Sequence, residues 1–265
     1  MNHAAKLKWF YVLTVVLIAM WSVQMGMSVT HQVRGSELRE VFLTYLVIDM
    51  ILGYTLIRAG WRIIAQIYLS RKWKQKFRAA RHEKLSKRLN YKYRSWNTEI
   101  VVVKDEAIIA LSIGMRKPII VVSTAVLEMF SDDEVKAVLL HEWHHCSSRD
   151  NSKLFLATLL SESFTYLPIM KPIYQYYRTW MELMADRFAI RQMGTELHLA
   201  NVLLKLTRLG KLQMHAAAVH FTTTMDYRML QVLEPDQAIK VKVAWLRPLL
   251  ASICILLLLM LSGDS

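Results

Sequence analysis

The sequence has few of the residues that cross-link a chain or break its helices. It contains only two cysteines, so no framework of disulfide bonds can hold the fold together. Five prolines and eight glycines in 265 residues are too few for a collagen-like chain, a linker-rich chain or an all-β fold with many turns. With 54% hydrophobic residues, the composition also excludes intrinsic disorder. The expectation that remains is a mostly helical protein.

Long apolar runs are present at residues 10–27, 41–57 and 249–261. A helix needs roughly 20 apolar residues to cross a bilayer. The first run is long enough, the second is if it continues through Trp61 and Ile64, and the third depends on Trp245 and Leu246. We therefore expect a multi-pass membrane protein with two N-terminal transmembrane helices and one at the C-terminus. Asp49 lies within the second run, where a charge is costly; it has either a signalling or coupling role or, as a protonated or helix-facing residue, a packing role alone.

Positive charge is concentrated in one segment. The formal net charge is +13, and residues 71–95 hold eleven Lys or Arg against one acid, Glu83. By the positive-inside rule, this segment and the chain up to Arg247 face the cytoplasm. The aromatic residues of the segment also raise the alternative of nucleic-acid binding, but none of the known DNA- or RNA-reading motifs is present. We expect no direct nucleic-acid binding and take the lipid bilayer as the partner of this segment.

The chain after the basic segment is predicted to form one domain. Runs rich in Ile and Val at 98–103, 107–111 and 118–122 predict a small antiparallel sheet. Ser131 and Glu134 have the spacing of a capping box, which predicts a helix from there to about Cys146. The predicted organisation is two transmembrane helices in 1–70, a basic juxtamembrane segment in 71–95, a cytoplasmic domain in 96–246 and a C-terminal transmembrane helix in 247–265.

The capped helix contains an HExxH motif, His141-Glu142-Trp143-His144-His145. Two imidazoles four residues apart project from one face of a helix, so both can bind one zinc ion, and the glutamate after the first can act as general base. Catalytic zinc takes a third protein ligand, for which Glu182 on a separate predicted helix is the best candidate. Asp186 lies one turn further on and is expected to support a ligating imidazole.

For three residues near the motif, the sequence indicates a role in the site less strongly. His144 is one residue short of the second ligand, which indicates packing or substrate contact. Cys146 lies at the end of the helix and is expected to be a buried structural thiol. Asp150 could support an imidazole or could equally be the cap of the next helix.

In this order, the residues resemble a known family. The stretches Ala110 to Val122 and Ser131 to Leu140, the HEWHH motif, the Arg149-Asp150 pair and the stretch Glu182 to Asp186 are similar to the BlaR/MecR-type membrane metallopeptidases, over about residues 98–235. The resemblance implies an α+β, mainly helical, gluzincin-like zinc peptidase domain. It implies one zinc per chain, bound by His141, His145 and Glu182, with Glu142 as general base. It also implies that the strand matched by residues 117–123 pairs with an extended peptide substrate.

The resemblance further implies a role in regulatory signalling, because relatives convert an external signal into cleavage of themselves and of a transcriptional repressor. The expected partners are a protein or peptide substrate, with a repressor as one candidate, and the bilayer; a homodimer stays open. Only four residues follow the last apolar run, so we expect the penicillin-binding sensor domain to be lacking. β-Lactam sensing is therefore not carried over.

Other function classes compete with this interpretation. Among proteases, the HtpX-like and CAAX-processing membrane peptidases also combine HExxH with a Glu-x-x-x-Asp pair, for quality control or maturation. Outside enzymes, the alternatives are a zinc-free membrane receptor scaffold and a DNA-associated regulator. The complete set of ligands and base argues against the zinc-free scaffold, and the lack of a DNA-reading motif argues against the regulator.

Overall fold

The computed structural model describes residues 42–213, 218–234 and 239–261, together with Ala19 and Gly26. These residues are mainly helical, with one small sheet. In chain order the elements are α1 (Phe42–Ala79), α2 (Glu83–Lys92), a 3-10 turn (Arg94–Trp96), β1 (Ile100–Val103), β2 (Ala110–Ile113), β3 (Ile119–Ser123), α3 (Thr124–Met129), α4 (Asp132–Ser147), α5 (Asp150–Ser163), α6 (Met170–Met193), α7 (Leu197–Gln213), α8 (Ala218–Leu233) and α9 (Leu246–Leu261).

The chain divides into two compact units. The described residues of the first unit fall in 1–64, 157–177 and 242–265, and those of the second fall in 65–156 and 178–241. The core of the first unit is formed by buried side chains of the α5–α6 connection and of the first turn of α6: Phe164, Leu167, Ile169, Met170 and Ile173. They pack against partly buried residues of α1 and α9: Ile51, Leu52, Leu249 and Leu256. Within this unit Glu162 accepts a hydrogen bond from Arg62, and Arg58 lies 4.0 Å from the same carboxylate.

Membrane spans were expected over residues 10–27, 41–57 and 249–261. In the part of the chain that the structure describes, no helix combines the length and the hydropathy that crossing a bilayer requires. The first of the three runs lies outside the described residues apart from Ala19 and Gly26. The expected spans at 41–57 and 249–261 are therefore not found.

The second unit contains a three-stranded sheet in the order β1-β3-β2. β2 and β3 are antiparallel, as expected, but β1 and β3 are parallel, so the prediction of an antiparallel sheet is wrong. β3 lies between β1 and β2, and the apolar runs alone do not specify this order. β2 also begins later than predicted, because the Asp105 carboxylate accepts a hydrogen bond from the N–H of Ala107 and holds this segment in a turn.

Alternation along the strands gives the sheet two buried faces. One face packs on α4, with Ile100, Val102, Ile120 and Val122 against Val135, Val138 and Leu139. The other face joins Val101, Val103, Ile119 and Val121 to Phe77 of α1. The sheet thus fixes the position of the motif-bearing helix.

The two edges of the sheet differ. Along β1, backbone groups are bound by the basic segment: the Ser86 hydroxyl accepts from the N–H of Val102 at 2.9 Å, and the Asn90 amide bonds both the N–H and the C=O of Ile100. Among the described residues, no such backbone partner lies along the outer edge of β2. The sheet therefore has one open edge, on the strand next to α4.

Helix α4 begins as the capping box predicts. The Ser131 hydroxyl accepts from the N–H of Glu134 at 3.3 Å, and the Glu134 carboxylate accepts from the N–H of Ser131 at 2.9 Å. Lys205 of α7 donates to the same carboxylate at 2.7 Å, so the start of α4 is also tied to α7. In the middle of α4, the Trp143 ring stacks on Trp96 at a centroid distance of 5.0 Å.

Candidate metal centre

Helices α4 and α6 bring the predicted ligands together. His141 and His145 lie one turn apart on the same face of α4, and Glu182 faces them from α6. The Nε2 atoms of the two histidines are 3.1 Å apart. Glu182 lies 3.4 Å from His141 Nε2 through one oxygen and 3.9 Å from His145 Nε2 through the other. Together the three side chains form a group of donor atoms that could hold a metal ion.

The spacing of the donors fits a small tetrahedral cation. Metal–ligand distances of 2.0–2.2 Å in a tetrahedron give donor–donor separations of about 3.3–3.6 Å. The observed separations of 3.1, 3.4 and 3.9 Å lie close to that range. Both imidazoles present Nε2 to the shared point, which leaves Nδ1 free for other partners.

Each Nδ1 atom faces a carboxylate on its far side. Asp186 Oδ1 lies 2.8 Å from His141 Nδ1, and Asp150 Oδ2 lies 3.0 Å from His145 Nδ1. Asp186 is fully buried and Asp150 is 4% exposed. Because a carboxylate only accepts, Asp150 favours a proton on Nδ1 of His145. Asp186 lies against Nδ1 of His141 and favours the same form there, so His141 offers a lone pair on Nε2 once that atom has lost its proton. This is the tautomer that a metal requires from both histidines.

Asp150 reaches His145 through a tight corner between α4 and α5. Only Ser148 and Arg149 separate the two helices, and Arg149 has a φ of 55°, in the left-handed region that favours glycine. The strained residue turns the chain back so that the first residue of α5 faces the end of α4. Lys153 lies 3.2 Å from the other Asp150 oxygen. Of the two interpretations left open by the sequence, support of an imidazole is the one that the contacts favour.

Charge within the site controls the ionisation of its groups. Burial and Arg228 oppose protonation of His141, but Asp186 and Glu182 outweigh them and raise its pKa to about 10. Burial alone would raise the pKa of Glu182, whereas its contacts with His141 and Arg228 lower it far below the usual range. A metal ion entering the site must therefore displace a proton from His141.

The remaining residues of the motif are placed differently. Glu142 follows His141 on α4 and is 9% exposed. The ring of His144 packs on Phe188 at 5.2 Å, and burial lowers its pKa. Cys146 is part of the core against the sheet, and burial raises the pKa of its thiol to about 12. Asp49 is an exposed residue of α1.

A second group of donors, His144, His145 and Asp150, also lies together. In this group His145 contributes the Nδ1 side of a ring whose Nε2 already faces His141 and Glu182. Lys153 adds a positive charge next to Asp150. The arrangement is therefore better suited to supporting the first group than to binding another cation.

Arg228 of α8 also lies at the site, and the sequence patterns do not predict it there. Its Nε and Nη2 atoms donate to the two oxygens of Asp186 at 2.7 and 2.8 Å, and its Nη1 lies 3.2 Å from Glu182. One feature of the sequence does point to Arg228. Arg228 shares a helix face with the buried residues Met225 and Val232, and a cation on an apolar face needs a buried acidic partner.

Comparison with known proteins gives two matches. A family model described as BlaR1 peptidase M56 matches residues 9–229, which is most of the chain. The regulatory protein BlaR1 of Bacillus licheniformis is 31% identical over 99 residues, which are 37% of this chain and 16% of that protein. The match thus spans about a sixth of the length of this curated relative.

Proposed function

The chain belongs to the BlaR1 peptidase M56 family, and we propose that it is a zinc-dependent endopeptidase. His141, His145 and Glu182 bind the metal in this proposal, Asp186 supports the first histidine, and Glu142 is the general base. The observation that carries it is the convergence of the three donor atoms, with each histidine backed by a carboxylate. Two histidines and a glutamate are a ligand set that catalytic zinc takes, and they leave one position open.

The proposed reaction is hydrolysis of a peptide bond. Zinc supplies Lewis acidity, which polarises the scissile carbonyl and acidifies water. The Glu142 carboxylate accepts a proton from the attacking water, whose oxygen forms a bond to the carbonyl carbon. Glu142 then delivers that proton to the leaving nitrogen as the C–N bond breaks, giving a carboxylic acid and an amine, and the new acid passes its own proton to solvent. Asp186 and Asp150 keep the two imidazoles in the ligating tautomer throughout.

The substrate is proposed to add as a strand to the sheet, but not to the strand expected from the sequence. Residues 119–123 form the central strand, and both of its edges are already paired. The open edge belongs to β2. The Ser123 N–H donates to the Ile109 carbonyl, so by antiparallel alternation Leu111 and Ile113 face β3 while Ala110 and Ser112 direct their backbone groups outward. An extended peptide can bond to these outward groups.

Regulatory signalling is the proposed setting of the cleavage. This proposal is supported by the likeness of the chain to a protein described as regulatory and by the membership of the chain in the BlaR1 peptidase M56 family. A transcriptional repressor and the chain itself are the candidate substrates. An HtpX-like role in quality control uses the same site chemistry, so substrate identity distinguishes the two.

Membrane association with the peptidase site on the cytoplasmic side is also part of the proposal. Large apolar side chains of the first unit are exposed, including Ile57 at 73%, Trp61 at 68% and Leu258 at 68%. Exposed apolar surface of this extent is typical of a lipid or protein contact. The basic segment that follows in α1 and α2 has the charge that anionic lipid headgroups attract.

The proposal is tested by separating metal binding from proton transfer. Glu142→Gln should keep about one zinc per chain and lose peptide cleavage, because the amide cannot accept the proton. Glu182→Ala should lose the zinc as well. Glu128→Gln, at an exposed glutamate of α3, is the matched control and should change neither. Full activity of the Glu142 variant would overturn the mechanism. Comparing cleaved proteins in cells with the wild type and with this variant would separate repressor cleavage from quality control.

A further inference from the structure

Arg228 connects two carboxylates that lie on the same face of α6. Glu182 and Asp186 are one turn apart, so their negative charges repel each other. The guanidinium binds both oxygens of Asp186 and lies 3.2 Å from Glu182. Its side chain is 16% exposed and Asp186 is not exposed at all, so little water reaches this cluster. Arg228 therefore supplies a permanent positive charge to both acids, in addition to their contacts with His141.

A second polar residue fixes α8 against the same turn of α6. Gln231 lies three residues after Arg228 and donates from its Nε2 to the Leu183 carbonyl at 3.0 Å. Its Oε1 accepts from Nε of Arg187, also at 3.0 Å. Gln231 is 3% exposed, so this attachment is internal as well. The position of Arg228 relative to Glu182 and Asp186 is set by α8, not by a flexible surface side chain.

Without Arg228, metal binding itself would have to bring the side chains of this cluster together. If Arg228 were absent, His141 would be the remaining basic group in contact with both acids, at 3.4 Å from Glu182 and 2.8 Å from Asp186. One imidazolium cannot compensate two buried carboxylates, and uncompensated buried charge is strongly destabilising. The acids would then separate, and the metal would have to reorder α6 on binding. With Arg228 in place, each acid has a charged partner before any metal arrives.

We propose that Arg228 is a positioning residue that assembles the metal site in the metal-free protein. It holds Asp186 against His141 and Glu182 in the ligand position, so that metal binding requires no folding of α6 or α8. The inference rests on the proposed function, because it takes Glu182 as a metal ligand. It goes further in stating that α8, which supplies no metal ligand in the proposal, determines whether the site exists without metal.

The test is hydrogen exchange of the full chain in detergent, with and without zinc, read on peptides covering 180–187 and 224–232. In the wild type, exchange without zinc should lie within about threefold of exchange with zinc. In Arg228→Gln it should be at least tenfold faster without zinc and should slow markedly when zinc is added. Arg228→Lys should be intermediate, since it restores the charge but not the three contacts. Arg191→Gln, at an exposed arginine of α6, is the control and should behave as the wild type.

The rate of zinc capture gives a second readout. Stopped-flow measurement with a competing chelator dye should show capture at least tenfold slower in Arg228→Gln than in the wild type, because α6 must first be ordered. Wild-type exchange rates in the metal-free Arg228→Gln variant would overturn the inference. If that variant does not fold, Asp186→Asn combined with Arg228→Gln removes both charges and should restore the far-UV circular dichroism. A double variant as disrupted as the single one would also overturn it.

Failure of the proposed function would look different. A wild-type chain that binds no zinc would refute the metal site. The metal-free exchange rates of the wild type and the Arg228 variants would still decide whether Arg228 holds the two carboxylates.

Discussion

Asp150 Oδ2 lies 3.0 Å from His145 Nδ1, on the side of the ring away from the other donors of the metal centre. His141 has the same relationship to Asp186, at 2.8 Å. The two carboxylates come from different helices, α5 and α6, so His141 and His145 are oriented independently. The consequences for metal binding can be measured.

Replacing Asp150 by Ala should weaken zinc binding about 10- to 100-fold, the range found when the partner of a ligating histidine is removed. Asp150→Asn should have a smaller effect, because its amide oxygen can still accept from Nδ1 of His145. Asp133→Asn, at an exposed residue of α4, is the control. Competition with a chelator of known affinity measures the difference. An unchanged affinity in the alanine variant would mean that His145 needs no support.

Zinc binding should depend steeply on pH. The neighbouring acids raise the pKa of His141 to about 10, so the ring is protonated in the metal-free protein at neutral pH. Zinc needs the neutral imidazole, whose fraction rises about tenfold per pH unit below that pKa. Affinity should therefore rise between pH 6 and pH 9, with about one proton released per zinc. Calorimetry in two buffers of different ionisation enthalpy counts this proton, and a count near zero would contradict the prediction.

The open edge of β2 can be blocked without removing a bond of the sheet. Proline at position 112 lacks the N–H that Ser112 directs outward, so Ser112→Pro should raise KM for a peptide substrate roughly tenfold at unchanged zinc content. Ser112→Ala removes only the hydroxyl and its contact with Asn151 at 3.4 Å, and serves as the control. Equal effects of the two variants would show that the substrate does not bind along this edge.

The Glu134 carboxylate should make stability depend on acid. Burial opposes its ionisation, but Lys205 and the cap at Ser131 outweigh this and lower the pKa of Glu134. A lowered pKa stabilises the folded state above the unfolded value of about 4.5, and this stabilisation is lost as the pH falls through the folded value. Glu134→Gln should cost about 1 kcal/mol at pH 7 and less at pH 3. Thermal melts at both pH values, with Glu128→Gln as control, measure the difference.

Features set by short spacings could be predicted from the sequence. The capping box specifies the start of α4, and the four-residue interval between the histidines fixes their shared face, because both follow from helix geometry alone. The topology of the sheet could not be predicted in the same way, because apolar alternation determines which side chains are buried but not the order of the strands. The parallel pairing of β1 with β3 depends on how the chain crosses between them.

Arg228 shows the same limit at the site itself. It lies 42 residues after Asp186 in the chain, and nothing in its local sequence identifies its partner. Its only signal is a positive charge on the apolar face of α8. Long-range ion pairs of this kind depend on helix packing, which local patterns do not specify.

The stack of Trp143 on Trp96 joins α4, the helix that carries both histidines, to the 3-10 turn at Arg94–Trp96. Trp143 is two residues from each of them, and its Nε1 donates to the Trp96 carbonyl at 3.3 Å. The electronic transitions of two stacked indoles couple, and the resulting circular dichroism depends sharply on the angle between the rings. Near-ultraviolet circular dichroism should therefore follow small movements of α4 without any added label, and a Trp96→Phe variant separates the signal of this pair from that of the other six tryptophans.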